Sequence, residues 1–372
     1  MATDALYIGL MSGTSLDGVD GVLARITPHG RMQVHAHAFS PFEAPLRSEL
    51  LALNHPGHNE LHRSALASNA LVGVYATVVE RLLMQGNVCA DDITALGAHG
   101  QTVRHQPLLH DGVGYTLQLN NPSLLAERTG IDVVADFRPR DLAAGGQGAP
   151  LVPAFHQGVF GTTGQTVGVL NIGGISNLSV LHADDRVMGW DCGPGNALMD
   201  HWCQLHTGQP FDQDGAWAAS GQVVAPLLEL LLQEEYLRQP PPKSTGRDLF
   251  NPAWLQGHLE HFREATPADV QATLTAFTAR ACIMDVLEHA PDAQRLIVCG
   301  GGALNRHLMQ LLALGLPQLH VASSEAHGLP PLQVEAAAFA WLAFKCVHRE
   351  AASLPSVTGA RGARVLGAIY PR

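Results

Sequence analysis

The run Gly9-Leu10-Met11-Ser12-Gly13-Thr14-Ser15-Leu16-Asp17-Gly18-Val19-Asp20 constrains this chain more than any other segment. It joins two apolar stretches of strand length, residues 6–11 and 19–26, and a third over 32–39 completes a meander. A glycine turn after a strand suits an anion, because no Cβ keeps the ligand from the backbone N–H groups. Ser12, Thr14 and Ser15 add hydroxyl donors, and Asp17 and Asp20 are placed to hold magnesium through water. A hairpin that uses Gly and Ser for geometry alone would read the same way.

The pattern returns later in the chain. Residues 167–171 form a strand, Gly173-Gly174 a tight turn and 176–181 a second strand. This fits an internal duplication or two unrelated hairpins equally well. A third glycine run, Gly300-Gly301-Gly302, follows an apolar strand at 295–299. Neither GxxxxGK[ST] nor GxGxxG occurs, so the common nucleotide motifs do not explain these turns.

The remaining periodicity predicts an α/β protein. A helix over 61–84 offers Leu66, Val74, Val78 and Leu82 to one face. Strands follow at 93–98, 115–119 and 131–135, and 143–150 reads as a glycine-rich connector or hinge. Helices are expected at 196–206, 222–237, 268–289, 303–314 and 333–348, with a final strand over 364–370 that can return to the first domain. At 372 residues and 46% hydrophobic, the chain has core enough for about two domains.

A net charge of −11 leaves no general field for nucleic acid or an anionic membrane, so phosphate binding must be local. The six cysteines stand singly, without CxxC spacing or a zinc-like arrangement with histidine. Met1-Ala2-Thr3-Asp4 has no basic start or long apolar run, and the most apolar helix-like stretch, 223–232, is short and interrupted by Glu229. These features predict a soluble cytoplasmic protein.

Asp191, in Trp190-Asp191-Cys192-Gly193-Pro194-Gly195-Asn196, is the leading catalytic candidate. An acid at a strand end, fixed by a Gly-Pro-Gly turn, can act as a general base; an ordinary turn aspartate looks the same. Arg138 and Arg140 can clamp a carboxylate, or pair with Asp136 or Asp141. Glu335 opens a helix, where an acid also complements the dipole. His99 and Gln101 end a strand, a usual place for ligand contacts in α/β proteins. Lys243, Ser244 and Arg247 can reach a phosphate or lie on a solvated loop.

Taken together, these segments resemble the anhydro-N-acetylmuramic acid kinases. The likeness runs in order through the opening glycine turn, Gly97-Ala98-His99-Gly100-Gln101-Thr102, Val134-Ala135-Asp136-Phe137-Arg138 and residues 144–153. It continues through Asn171-Ile172-Gly173-Gly174-Ile175-Ser176-Asn177, Asp191-Cys192-Gly193-Pro194-Gly195-Asn196, Lys243-Ser244-Thr245-Gly246-Arg247 and Cys299-Gly300-Gly301-Gly302-Ala303-Leu304-Asn305. The resemblance implies a two-domain actin-like ATPase (ribonuclease H-like) fold with the active site in the interdomain cleft. Domain I would cover 1–137 plus about 355–372, and domain II 138–354.

It further implies ATP and Mg2+, an amino-sugar substrate, a homodimer, and no nucleic-acid or membrane partner. The reaction implied is hydrolytic opening of 1,6-anhydro-N-acetylmuramic acid with phosphorylation of O6. Carried onto this sequence, Asp191 is the base that activates water, and Glu335 stands near the same water. Gly13, Thr14, Ser15, Leu16, Asp17, Gly18, Val19 and Asp20 form the ATP-phosphate loop. Gly173, Gly174, Asn177, Gly300, Gly301, Gly302 and Asn305 are further nucleotide contacts; Ser12, His99, Gln101, Arg138 and Arg140 face the sugar, Arg140 at its lactyl carboxylate. Other sugar kinases of this fold carry an acid in D-x-G-x-T at the first turn. Met11 and Ser12 stand there instead, which leaves the magnesium ligands unknown. An ordinary sugar-hydroxyl kinase and an actin-like or chaperone-like ATPase are the rival readings.

Overall fold

The computed structural model describes residues 4–13, 15–241, 243–246 and 249–372. Contacts gather the chain into two units, Met1–Val159 with Gln333–Arg372, and Phe160–Leu332. The first unit carries β1 (Ala5–Met11), β2 (Gly18–Ile26), β3 (Met32–Pro41), β4 (Ile93–Ala98), β5 (Gln101–Pro107), β6 (Gly114–Leu119) and β7 (Val133–Ala135). The second carries β8 (Val167–Ile172), β9 (Ile175–Leu181), β10 (Val187–Pro194), β11 (Arg295–Cys299) and β12 (His320–Ser323). The tail returns to the first unit as β13 (Ala368–Tyr370), antiparallel to β7.

The two main sheets share one plan. The first runs β13-β7-β4-β1-β2-β3 and the second β10-β9-β8-β11-β12. In each, three consecutive strands form an antiparallel meander, and the first of them then takes a parallel partner. Parallel pairing needs a crossover. The helix Glu60–Gly86 supplies it before β4, and the helices ending in Pro267–His289 supply it before β11. The duplication that two hairpins alone left open is thus written in the topology.

Period-two alternation explains why β1 is apolar throughout. Ile8 and Leu10 share a core with Leu71, Tyr75, Val78 and Leu82 of the Glu60–Gly86 helix. On the opposite face Tyr7 meets Phe344 edge-on, and Gly9 lies under the helix Val334–Val347. Gly9 pairs with Gly97 across β1 and β4. A Cβ on Gly9 would stand 1.9 Å from Ala336 O, and one on Gly97 2.1 Å from Phe339 O. Two glycines side by side therefore let this helix seat its backbone on the sheet.

That contact moves the division of the chain. The sequence reading put the joints near 137 and 354; the units divide at Val159/Phe160 and Leu332/Gln333, because the Val334–Val347 helix covers β1, β2 and β4. Residues 143–150 are no hinge between units. They lie inside the first unit, wrapped around the buried Asp141 carboxylate, which accepts from Gly148 N and Thr358 Oγ1. A Cβ on Gly146 would stand 2.2 Å from that carboxylate.

Two helices differ from their expected form. Leu66 is 57% exposed, and the buried face is Leu71, Val72, Tyr75, Val78, Val79 and Leu82. Twelve residues before Val78, Leu66 sits about 120° away around the helix. The stretch 222–237 holds a helix only over Ala225–Leu231, which starts late because Pro226 has no N–H to extend it backward, and a separate short 3-10 turn, Glu235–Arg238. Among the described residues the helix long and apolar enough to cross a membrane is Glu60–Gly86, not 223–232, and its apolar face fills the first core.

Candidate active site

Asp191 lies on β10 where register with β9 shifts, so Cys192 is an extra residue in a bulge. Bulges re-aim the neighbouring side chain. Gly193 makes this one feasible: its φ is 148°, and a Cβ there would stand 2.8 Å from Leu237. The Asp191 Oδ2 atom accepts from Ser244 Oγ and from Thr245 N, both at 3.0 Å. Its backbone N donates to Lys243 O, and Tyr236 Oη donates to its carbonyl. Among the described residues Oδ1 takes no hydrogen bond. Burial pushes the carboxyl pKa up, while the Thr245 and Ser244 donors pull it down; burial wins.

Lys243 is not a phosphate ligand on a solvated loop. Its ammonium is buried and ion-paired with Asp285 Oδ1 at 3.2 Å. Ser244 is exposed but turned to Asp191, and Arg247 lies outside the described residues.

Asn177 on β9 is the cross-strand partner of Asp191, and Asn171 on β8 is the partner of Asn177. Directly opposed residues share a face, so a polar row crosses three strands. The Asn177 amide makes no hydrogen bond among the described residues. Beside this row, two glycine turns meet through Asn196. Its N donates to Gly173 O and its Nδ2 to Ile172 O, while Gly195 N and Ala197 N donate to Gly174 O. Gly300 and Gly302 are packing positions, since Cβ atoms there would meet Asn171 and Ile172 at 2.5 and 2.4 Å. Gly301 is more open, with Asn196 Nδ2 nearest at 3.2 Å. Asn305 caps the helix Arg306–Gly315 by accepting from Leu308 N.

The first unit divides its opening turn between core and surface. Leu16 and Val19 are buried in the core, so only their backbone can meet a ligand. Gly18 lies against Ser40 and Phe39. A Cβ on Gly13 would meet Ser15 at an ordinary contact distance of 3.6 Å, Ser15 Oγ donates to Asp17 Oδ1 at 2.7 Å, and Thr14 lies outside the described residues. Ser12 is buried and does not face outward. Its hydroxyl meets Tyr75 Oη and donates to Gly100 O, and Gly100 N donates to the same Tyr75 oxygen.

The turn after β4 is fixed from both sides. Gln101 Nε2 donates to Gly13 O. Arg138 donates through Nε and Nη2 to His99 Nε2, both at 3.0 Å, and through Nη1 to Gly148 O at 2.8 Å. His99 must then be neutral with its proton on Nδ1. Burial and the neighbouring guanidinium hold it well below the usual imidazole range. Burial likewise lowers Arg138 to about 10, against the opposing charge of Glu335. Neither arginine pairs with Asp136 or Asp141: Asp136 accepts from Tyr370 Oη, and Arg140 is exposed without a hydrogen bond or ion pair among the described residues. Glu335 is exposed in the first turn of its helix.

Among the described residues no three His, Cys, Asp or Glu side chains converge to hold a metal. Asp17 Oδ1 also accepts from Gly18 N, and Asp20 Oδ1 meets His37. Such carboxylates fit magnesium that keeps water and phosphate oxygens as most of its ligands.

Tyr75, Trp190, Tyr236, Lys243, Thr245 and Asp285 support the candidate residues but were not found as such from sequence. Lys243 stands in the sequence reading as a possible phosphate contact, and Trp190 and Thr245 only within quoted segments; the signal for Asp285 is an acid within the apolar run of its helix.

A family model described as Anhydro-N-acetylmuramic acid kinase matches residues 5–372. The anhydro-N-acetylmuramic acid kinase of Variovorax paradoxus is 67% identical over 371 residues, covering 98% of this chain and 99% of that protein. The protein of the same name from Albidiferax ferrireducens is 60% identical over 98% of this chain and 99% of its own length. The solved structure of Acidaminococcus fermentans (R)-2-hydroxyglutaryl-CoA dehydratase component A superposes with a TM-score of 0.50 at 11% identity, over 92% of this chain and 98% of that one. At that identity the likeness is one of fold alone: the two-domain actin-like ATPase architecture.

Proposed function

The chain belongs to the anhydro-N-acetylmuramic acid kinase family, and on that footing we propose which of its residues carry each part of the reaction. It is an ATP-dependent kinase of 1,6-anhydro-N-acetylmuramic acid, acting in cell-wall recycling. The sugar has no free 6-hydroxyl, because O6 bridges to C1. Water must therefore add at C1 as the C1–O6 bond breaks and O6 takes the γ-phosphoryl group. The products are N-acetylmuramic acid 6-phosphate and ADP, with one proton released.

Asp191 is the base in this reading. The observation that carries it is the uneven use of its carboxylate: among the described residues two donors fix Oδ2 and none meets Oδ1, which leaves Oδ1 to accept a proton from water. Partial burial raises its basicity. Asn177 opposite, whose amide makes no hydrogen bond among the described residues, would orient the same water. Glu335 would add a second acid near it, as the family likeness implies.

Arg140, exposed and without a partner among the described residues, takes the lactyl carboxylate. Arg138 then serves His99 and the 143–150 loop. As the family likeness implies, Gly13, Ser15 and Asp17 of the opening turn would offer backbone and side-chain groups to the ATP phosphates, and Gly173, Gly174 and Gly301 of the second unit would be further nucleotide contacts. When bound, magnesium would supply positive charge against the transferred group, with Asp17 and Asp20 as the carboxylates that would hold it through water.

Turnover in 18O-labelled water, with the product reduced at once to prevent exchange, tests the ring-opening step. One label at C1 and none in the phosphate is expected. Phosphorylated sugar without label would instead mark an ordinary hydroxyl kinase. Asp191→Asn should abolish turnover while ATP binding persists; near-normal turnover would remove Asp191 from the base role.

A further inference from the structure

We infer that Lys243 and Asp285 are positioning residues for the reaction, one buried clamp that holds Asp191 and its two hydrogen-bond donors in register. The inference rests on the reading of Asp191 as the base.

Asp191 and its donors lie on separate segments, Trp190-Asp191 on β10 and Lys243-Ser244-Thr245 on a loop. The residue before each functional group ends on the same carboxylate. Trp190 Nε1 donates to Asp285 Oδ2 at 2.8 Å, and Lys243 Nζ donates to Asp285 Oδ1 at 3.2 Å. Lys243 Nζ also donates to Leu237 O, and its backbone O accepts from Asp191 N. A single carboxylate on the helix Pro267–His289 thus fixes both segments one residue away from the reacting oxygens.

Stability does not account for this pair. Its side chains are 2% and 5% exposed, and an ion pair so buried adds little over apolar residues of the same size, because desolvation offsets the attraction. What a two-ended, directional contact does supply is position. Small misplacements of a catalytic group cost large factors in rate. The other ionisable groups here are Tyr236, whose ring lies 5.3 Å from Lys243 Nζ, the thiols of Cys192 and Cys282, and His289, stacked edge-on against Trp190. Burial pushes Tyr236 and Cys192 up, so both stay neutral.

The test is the double variant Lys243→Met/Asp285→Asn. It removes both buried charges together and keeps an acceptor for Trp190. Expected are unchanged ATP affinity, a kcat lower by about 10–100-fold, and an acid limb of the kcat/KM profile moved to higher pH as Asp191 loses aligned donors. A purely structural pair would not move the limb. If the double variant does not fold, Trp190→Phe removes one arm alone and should lower kcat about threefold or more with the same shift. Wild-type kcat together with an unmoved limb, in whichever variant folds, overturns the inference. Asp191→Asn in the same assay separates the two ideas. Its retained turnover would sink the base reading; an inactive Asp191→Asn beside a wild-type-like clamp variant would sink the clamp alone.

Discussion

Replacing Ser244 by Ala removes one of the two donors on Asp191 Oδ2 and leaves the backbone donor of Thr245 in place. A hydrogen bond to an ionised group is worth about 1.5–3 kcal/mol. Ser244 is exposed, so water refills part of the loss. A residual of about 1 kcal/mol corresponds to roughly 0.7 of a pKa unit. The sign follows from the base role. Asp191 works ionised, so activity is present above its pKa and is lost as pH falls through it. Donors favour the ionised form, and removing one adds to the upward push of burial. The acid limb of kcat/KM for the anhydro sugar should therefore move to higher pH by about 0.5–1 unit. One unit below the wild-type limb, the variant should retain about one-fifth of the wild-type rate. ADP release at saturating ATP, followed across the acid range, reads this directly. A limb that stays in place, or moves to lower pH, in a folded variant would refute the account of Asp191.

Arg140→Ala should raise the sugar KM about tenfold or more with little change in Tm, since it loses only a charge-assisted contact. The variant should also lose its preference for the muramic over the glucosamine anhydro sugar, which lacks the lactyl group; a preference that survives would return Arg140 to a surface role. Gly97→Ala should cost more than about 3 kcal/mol in chemical denaturation, because its Cβ meets helix backbone that cannot step aside. Stability near wild type there would contradict the packing of the Val334–Val347 helix. Tyr75→Phe should leave the buried Gly100 N–H unpaired and cost about 1–3 kcal/mol, read as a lower unfolding midpoint. An unchanged midpoint would mean that Ser12 replaces the lost oxygen.

Much of the fold was legible because strand and helix periods are local. The opening meander, the Arg295–Cys299 strand and the Pro267–His289 helix fall where their apolar spacing puts them, within a residue or two. Leu66 and 222–237 differ because helical period alone does not say which side of a helix meets the core, and because one proline sets where a helix can begin. The division of the chain was less legible. Nothing local says that residues 333–348 belong with residues 1–159; the glycine pair Gly9 and Gly97, 88 positions apart in sequence, makes that choice by admitting a helix backbone.

The candidate site divides in the same way. By itself the sequence determined the family, the glycine turns and Asp191 as the candidate acid, because these follow from residue type and spacing within short segments; Asp191 was expected at a strand end and lies instead at a bulge inside β10. Only the tertiary structure decided what each group has left to offer. It placed Ser12 inside the protein, turned Lys243 from a free cation into one end of a clamp, and left one oxygen of Asp191 without a donor among the described residues. The physical reason is that hydrogen-bond capacity is consumed by partners distant in sequence. Asp285 is 42 residues from Lys243 and 95 from Trp190. Which carboxylate is spent on structure and which remains for chemistry is settled only when those segments meet.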